Sequence, residues 1–552
     1  MSPSIRHHPR ALLTASVLAL LSVLAATFAA SASTARHPAS VPTYGGTLHV
    51  AYSGNMITFD PAQAFNDDWW VMNGTLFDGL YQDDRNGIPQ LDLAAAPPTI
   101  GADRKNWTFH LRQGVRFSNG MEVTADDLRF SIMRTLDPHL KPAPSWGQST
   151  DAIFQGAQDF IAGKAKDVPG IKALDRYTIR FALVQPVAVF PFILAETFNM
   201  VVPKAVVTNE SADYFASHPV GTGPFILKSW QKGSQLTFVR NPYYFRKGLP
   251  YVNKLIIDQN VSSNLIALRV EKGEIDGSGN GSELAASDLQ QARADPKYAH
   301  YLVNGPLIWM SWLYLNVKAP PLDNPKMRQA IAMAVNRVKL VQLDGGNAIP
   351  AGNVYLPIYP HNDPSLDRKP VYPYDPRQAA ALAKASGYHG QPITIYYASD
   401  FGYNANLAAG VQQDLQQIGV NVTLRSSTTT SLNAIDGKFT GHQISFFSWS
   451  PDYPDGYDVY SSQFACGVNV EGGISGAHYC DPTADDLANR SELLPIGPAR
   501  NALLRQAQLR ILRSAAYVPL VYLKNIALVN PRVGGFYYHP LYGWQYENYW
   551  LK

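Results

Sequence analysis

Cysteine is nearly absent from this sequence, whose 552 residues contain only Cys466 and Cys480. A metal site built from these two residues and His478 is disfavoured, because their spacing matches no zinc signature and no second cysteine pair exists. In an oxidising compartment, a close and even pair of cysteines favours a disulfide bond. No cysteine lies near the end of the N-terminal apolar run, which excludes a lipid-anchored lipoprotein.

An excess of charge of either sign is also missing. The chain has 46 Lys and Arg against 43 Asp and Glu, a formal net charge of +3, and no dense run of basic residues. Nucleic acid and anionic membrane surfaces therefore have no support as partners. Hydrophobic residues make up 46% of the chain, which suits a globular protein and argues against bulk disorder. The length exceeds one ordinary core, so we expect two or three domains.

Long apolar runs are limited to residues 11–30. Arg6 and Arg10 precede this run, and the small residues Ala30-Ser31-Ala32 follow it. This order predicts a secretory signal peptide over residues 1–32. An uncleaved membrane anchor is the alternative, because the run is nearly long enough to span a bilayer.

Local patterns predict both strands and helices. Alternation of apolar and polar residues over Trp107–Arg112 predicts a strand, and Thr124 followed by Asp127 predicts a capped helix start. A looser pattern indicates helical character around Asp151–Lys164. Further along, a strand (Ile393–Ala398), a helix (406–418) and a strand (420–424) follow one another, as do Asp375 and Pro376 at another helix start. This order predicts an α/β region with a mostly parallel sheet.

The segment Phe446–Tyr460 combines six aromatic residues with three aspartates. Aromatic area beside a fixed carboxylate is typical of a selective ligand pocket, whereas a buried strand followed by an acidic surface turn is the plainer alternative. Asp452, Asp455 and Asp458 lie on one turn, while hydrolases usually take their acids from separate elements, so a glycosidase is disfavoured. Calcium binding is disfavoured too, because EF-hand spacing is missing.

Taken together, these segments resemble the extracytoplasmic solute-binding proteins of ABC importers, family 5, the peptide- and nickel-binding proteins. The motifs that carry the resemblance are Gly45-Gly46-Thr47-Leu48, Phe59-Asp60-Pro61, Leu76-Phe77-Asp78-Gly79-Leu80, Trp107–Phe117 with Asn119-Gly120, Thr124-Ala125-Asp126-Asp127-Leu128, Gly221–Phe225, Asn241-Pro242-Tyr243-Tyr244, Leu315-Asn316 through Arg328-Gln329-Ala330, and the helix from Tyr374 to Gly387. They occur in consistent order over essentially the whole exported chain.

The resemblance implies an α/β, bilobal fold of the type II periplasmic-binding-protein kind, whose lobes close on a ligand about a hinge. It also implies an additional α+β domain inserted in lobe I. The expected bounds are 44–80 for the first part of lobe I, 81–218 for the inserted domain, 219–304 for the second part of lobe I, 305–515 for lobe II, and 516–552 for the C-terminal part of lobe I.

The resemblance also implies a site. Peptide-binding members use a Trp-x-x-Asp motif to bind the ligand's α-amino group, and here this motif is Trp449-Ser450-Pro451-Asp452. We therefore expect Asp452 to be the charge anchor, with Trp449 and Tyr453 lining the pocket. Asp455 and Asp458 become turn and surface residues in this interpretation. Cys466 and Cys480 occupy the place of a structural disulfide found in some relatives.

No motif identifies the group that would meet a ligand's carboxylate. Arg328, Arg377 and Arg425 are candidates by residue type alone.

The implied function is that of an extracytoplasmic receptor of an ABC importer, a monomer without cofactor or catalytic activity. It would bind di- or oligopeptides in the periplasm and deliver them to a membrane permease and, through it, to ATPase subunits. The alternatives are another solute (a nickel complex, an oligosaccharide or haem), a role as ligand sensor and, more remotely, a secreted hydrolase.

Overall fold

The computed structural model describes residues 41–64, 67–279, 284–305, 307, 309–400 and 402–552. The expected signal peptide, residues 1–32, lies outside the described residues. Within these ranges, no helix combines the length and hydropathy needed to cross a membrane.

The described chain contains both strands and helices. The strands are β1 (Thr47–Ala51), β2 (Tyr81–Asp83), β3 (Pro89–Leu91), β4 (Thr99–Ile100), β5 (Asn106–His110), β6 (Ile171–Asp175), β7 (Thr178–Ala182), β8 (Phe225–Gln231), β9 (Gln235–Arg240), β10 (Lys254–Asp258), β11 (Leu302–Asn304), β12 (Trp309–Leu315), β13 (Ala348–Pro350), β14 (Ile393–Ala398), β15 (Val422–Ser427), β16 (Ile444–Trp449), β17 (Tyr517–Leu523), β18 (Ile526–Leu528), β19 (Val533–Gly534) and β20 (Trp550–Leu551). The helices are α1 (Asp67–Leu76), α2 (Ala125–Leu136), α3 (Gln148–Asp151), α4 (Ala157–Ile161), α5 (Phe190–Ile193), α6 (Lys204–Asn209), α7 (Ala212–Ser217), α8 (Ser263–Glu271), α9 (Ala286–Ala294), α10 (Pro325–Ala334), α11 (Arg337–Leu343), α12 (Pro364–Arg368), α13 (Pro376–Ala385), α14 (Gly402–Gln417), α15 (Thr429–Asp436), α16 (Gly456–Val459), α17 (Pro482–Glu492) and α18 (Pro498–Ser514).

A four-stranded sheet in the order β1-β10-β9-β8 joins the start of the chain to its middle. β1 and β10 run parallel, and the other neighbours run antiparallel. Leu48 and Val50 alternate along β1 and are fully buried, as expected when one face of a strand covers a core. Trp544 and Tyr549, near the end of the chain, pack into the same core. One core therefore unites segments that are far apart in sequence.

A second four-stranded sheet, β4-β5-β7-β6, is entirely antiparallel and has a core of its own. Helix α2 packs on it and begins with the predicted capping box. The hydroxyl of Thr124 accepts the Asp127 backbone N–H at 3.3 Å, and the Asp127 carboxylate accepts the Thr124 N–H at 3.0 Å. A continuous helix over 151–164 does not form, because Gly156 has a positive φ of 82° and separates α3 from α4.

A six-stranded sheet in the order β13-β17-β12-β16-β14-β15 forms the core of the remaining part. β14 runs parallel to β15 and β16, but β12 runs antiparallel to β16 and β17, and β13 antiparallel to β17. The prediction of a mostly parallel sheet was therefore wrong. The strand–helix–strand pattern covers only one edge of the sheet, and strands from distant segments complete it in the opposite direction.

Helix α17 was not predicted from the sequence. Its start carries a good signal, since the Asp481 carboxylate accepts backbone N–H groups of Thr483 and Ala484, and Pro482 occupies the first turn. Its buried face consists mainly of small residues such as Ala484 and Ala488, which give a weak apolar period.

A short ribbon of β11 and β18 lies where the chain passes between the first and the last of these sheets. The N–H of Gly305, just after β11, donates to the carbonyl of Asn525, just before β18, at 2.6 Å. The strand β17, which the expected bounds assign to lobe I, pairs with β12 in the six-stranded sheet. We therefore propose that the chain crosses between lobes at this ribbon, near residues 305 and 525.

Cys466 and Cys480 form a disulfide bond, as the sequence indicates. The bond closes a loop with a sequence separation of 14 that follows the segment carrying Asp452.

Replacing both cysteines by serine is expected to lower the free energy of unfolding by about 3 kcal/mol. Without the bond, the unfolded chain is no longer restricted to a closed loop of this size and gains conformational entropy. Urea denaturation of the oxidised protein measures this change. Adding reductant should lower the stability of the wild type to that of the variant and leave the variant unchanged. An equally stable variant would show that the bond does not constrain the unfolded chain.

Candidate functional site

The segment singled out in the sequence begins as a central strand. β16 lies between β12 and β14, with Met310 opposite Trp449 and Ile395 opposite Ile444. The side chains of Ile444 and Phe446 are buried, while Trp449 at the end of the strand is half-buried. The aromatic run thus ends where this central strand leaves the sheet, and Pro451 and Asp452 begin a turn there.

Asp458 holds this turn in place. Its Oδ2 accepts the backbone N–H of Asp452 at 2.8 Å and that of Tyr453 at 3.4 Å. The carboxylate of Asp455 caps the following short helix α16 by accepting the N–H of Tyr457 at 2.8 Å. Two of the three aspartates therefore hold the backbone of the turn that contains the third, Asp452.

The expectation that Asp455 and Asp458 are surface residues was wrong. Asp455 is 5% exposed and Asp458 is 3% exposed. Arg500 of α18 binds Asp455 through two parallel hydrogen bonds of 2.7 and 2.9 Å, and it also pairs with Glu492 at the end of α17. The sequence could not show this arrangement, because the arginine lies 45 residues away on another helix.

The electrostatics of this cluster follow from burial and from Arg500. Burial alone would raise the pKa of Asp455, but the hydrogen bonds and charge of Arg500 hold it below the usual range. Burial raises the pKa of Glu492 to about 7, although Arg500 opposes the rise. Burial, followed by the charge of Asp452, raises the pKa of Asp458 well above its usual value. One arginine thus stabilises the negative charge mainly on Asp455.

The three expected pocket residues lie in different surroundings. Asp452 is half-buried, and Trp449 packs beside the core formed by Tyr355 and Tyr460. Tyr453 is 5% exposed. Its ring packs into the core of the β4-β5-β7-β6 unit rather than that of the six-stranded sheet, and it lies 6.1 Å from the ring of Phe192. The sequence places these residues together, but only the fold shows that Tyr453 contacts the opposite unit.

The arginines considered for a ligand carboxylate have other roles or lie at the surface. Arg328 is buried and donates to the carbonyls of Leu322 at 2.8 Å and Ser514 at 3.2 Å, which makes it a structural residue of α10. Arg377 and Arg425 are exposed, the first on α13 and the second on the edge strand β15.

The opposite side of the site carries acids that the sequence did not indicate. Glu196 follows α5 and is 4% exposed, and its Oε2 accepts the hydroxyl of Thr150 at 3.1 Å. Burial, followed by the charges of Asp452 and Asp151, raises its pKa well above the usual value. Burial raises the pKa of Asp151 itself to about 7. No motif marks Glu196, because its neighbours in space come from three separate segments.

A small cavity of about 30 Å³ lies next to this acidic segment. Ala195 and Thr197 line it, together with Trp70 of α1 and the aromatic residues Tyr542 and Trp544. The hydroxyl of Tyr542 donates to the Ala195 carbonyl at 3.1 Å, which ties the C-terminal segment to the inserted unit.

No group of three or more His, Cys, Asp or Glu side chains in the described ranges is arranged to hold a metal ion. Where the two units meet, the carboxyl groups of Asp452 and Glu196 lie near the contact between the rings of Tyr453 and Phe192.

Comparison with known proteins identifies the family and the fold. The model of the bacterial extracellular solute-binding proteins, family 5, matches residues 89–470. Di/tripeptide-binding protein 2 of Pseudomonas aeruginosa is 27% identical over 465 residues, which cover 80% of this chain and 83% of that protein. The periplasmic binding protein DppA of Helicobacter pylori, solved in complex with the peptide STSA, is 26% identical with a TM-score of 0.76, covering 92% of this chain and 98% of that one. The clavulanic acid biosynthesis oligopeptide binding protein 2 is 22% identical with a TM-score of 0.83, over 92% and 96% of the two chains, and shares the fold.

Replacing Arg500 by methionine is expected to lower the free energy of unfolding by about 3–5 kcal/mol, because two buried carboxylates lose their counter-charge. Arg490→Met is a matched control on the neighbouring helix, since Arg490 pairs with Asp486 at 3.1 Å at the surface. Calorimetric melting should show a large loss for the first variant and almost none for the second. Equal melting temperatures would contradict a supporting role for Arg500.

Proposed function

Since this chain belongs to the bacterial extracellular solute-binding proteins, family 5, we propose that it binds di- or oligopeptides between two closing lobes and delivers them to the permease of an ABC importer. The proposal includes export to the periplasm, action as a monomer, and coupling through the permease to ATPase subunits. The family consists of substrate-binding proteins rather than enzymes, and the expected bilobal α/β fold is the one observed.

The observation that carries the proposal is the turn at Asp452. Asp458 fixes the backbone of Asp452 with a hydrogen bond of 2.8 Å, so the carboxylate projects from a rigid support. A ligand ammonium that leaves water needs a charge-assisted partner, since a buried charge without one costs several kcal/mol. A pre-positioned carboxylate meets this need with little reorganisation on binding.

Aromatic side chains would supply the rest of the contact surface. Trp449 at the end of β16 is half-buried and retains exposed surface beside Asp452. Tyr453 lies between the lobes against Phe192. Aromatic contacts of this kind add affinity through area and are tolerant of different ligand side chains. This tolerance suits peptide ligands, whose common features are the main chain and the charged ends.

The relatives support peptides as the ligand class. One similar protein is named for binding di- and tripeptides, and another was solved with a four-residue peptide. A nickel complex, an oligosaccharide or haem is an alternative ligand, and ligand sensing is an alternative role. A hydrolase has less support, because Asp455 is engaged in an ion pair with Arg500 and is not free to act as a second catalytic acid.

Asp452→Asn is expected to weaken binding of a tripeptide with a free N-terminus by about tenfold or more, because a charge-assisted hydrogen bond becomes a neutral one. Isothermal titration calorimetry on the exported protein, with Ala-Ala-Ala and a panel of other short peptides, measures the change. Asp486→Asn, on the exposed face of α17, is the matched control and should bind as the wild type does.

Unchanged affinity of Asp452→Asn for peptides that bind the wild type would refute the role of Asp452. Binding of nickel chelates or oligosaccharides by the wild type, without binding of any peptide, would refute the peptide assignment itself. Thermal-shift measurements with the same panel give an independent readout of which ligand stabilises the protein.

A further inference from the structure

Glu196 is a buried carboxylate with an unused acceptor atom. Its side chain is 4% exposed, and Oε2 accepts the hydroxyl of Thr150 at 3.1 Å. Oε1 is buried and has no hydrogen-bond partner among the described residues. Leaving such an atom without a partner costs about 1–3 kcal/mol, and more if the group is charged. An acceptor atom that is held in place without a hydrogen bond indicates that a donor from outside the described chain binds there.

Glu196 lies where the inserted unit meets the turn that begins at Asp452. Its chain neighbours Ala195 and Thr197 line a small cavity of about 30 Å³. Phe192, in the same segment, contacts Tyr453, which follows Asp452 directly. Among the charged groups, Asp452 acts most strongly on Glu196, as expected when the two carboxyl groups are close to each other.

The charges around Glu196 are of one sign. Asp452, Asp151 and Asp458 are the charged groups that act on it most strongly, and each opposes its ionisation. In the described part of the chain, no Lys, Arg or His forms an ion pair with Glu196, while Arg500 is committed to Asp455 and Glu492. Bringing the lobes together thus brings carboxylates together without a matching cation from the protein at Glu196.

We propose that Glu196 is a second carboxylate of the ligand site, which binds the ligand's primary ammonium from the inserted unit while Asp452 binds it from the opposite lobe. This assignment rests on the peptide-binding function proposed above and deepens it. An ammonium group offers three donors, so it can satisfy Oε1 of Glu196 and the carboxylate of Asp452 at once. A single cation would then hold the two lobes together.

The assignment has a consequence for specificity. A ligand whose N-terminus is acetylated has one amide N–H and no charge, so it offers neither Glu196 nor Asp452 a cation. Closure should therefore discriminate strongly against blocked peptides, more than one buried carboxylate would alone. Peptides with a free α-amino group, which is largely protonated at neutral pH, satisfy both lobes.

Glu196→Gln tests the assignment in the full exported chain. Calorimetric titration at pH 7 compares Ala-Ala-Ala with its N-acetylated form, for the wild type, for Glu196→Gln and for the control Glu210→Gln, whose side chain is exposed after α6. We expect Glu196→Gln to lose about tenfold in affinity for the free peptide and to discriminate about tenfold less between the two peptides. The control should behave as the wild type.

The melting temperature shows whether Glu196→Gln changes the stability of the fold as well as ligand binding. Glutamine is neutral, so the unliganded Glu196→Gln protein should melt at or above the wild-type temperature. An equal loss of affinity for both peptides, or unchanged discrimination, would overturn the assignment and make Glu196 a structural residue. If the wild type binds no peptide at all, the proposed function fails first, and the assignment built on it fails with it.

Discussion

The geometry of the site depends on the buried ion pairs that the guanidinium of Arg500 forms with two carboxylates. The guanidinium joins the turn that contains Asp455 to the end of α17 at Glu492, with two of its hydrogen bonds in the bidentate arrangement that carboxylates favour. A cation buried this deeply is stable only with such partners, so the turn, α17 and α18 form one unit. The backbone of Asp452 is fixed beside this unit by Asp458. In the function proposed above, this support would let the Asp452 carboxylate bind a ligand cation with little reorganisation.

The candidate site is a composite of two units that face each other. The six-stranded sheet provides Trp449 and Asp452, whereas the inserted unit provides Glu196 and the ring of Phe192 that receives Tyr453. Contact between the units therefore combines an aromatic interaction with carboxyl groups that oppose one another's ionisation. In the function proposed above, a cationic ligand would favour closure, since it would interact with carboxyl groups on both sides.

The division into units also has a physical basis in how their cores are built. The sheet β1-β10-β9-β8 shares its core with Trp544 and Tyr549 from the end of the chain, so this lobe is complete only after the chain has passed through the others. With the crossing proposed above, the ribbon of β11 and β18 would carry both passages side by side, as a narrow link between two large cores. Lobes that are rigid inside and joined by a thin ribbon are suited to moving as bodies.

The sequence by itself determined the local features and the family resemblance. The capping box at Thr124, the strand Ile393–Ala398, the disulfide and the bilobal α/β fold all follow from short-range patterns or from motifs in a consistent order. Tertiary structure alone decided the mixed direction of the six-stranded sheet, the burial of Asp455 and the position of Glu196. Each of these depends on residues brought together from distant segments. The sequence does not show whether a carboxylate lies at the surface or beside a buried arginine, because its burial and its ion-pair partner depend on tertiary packing.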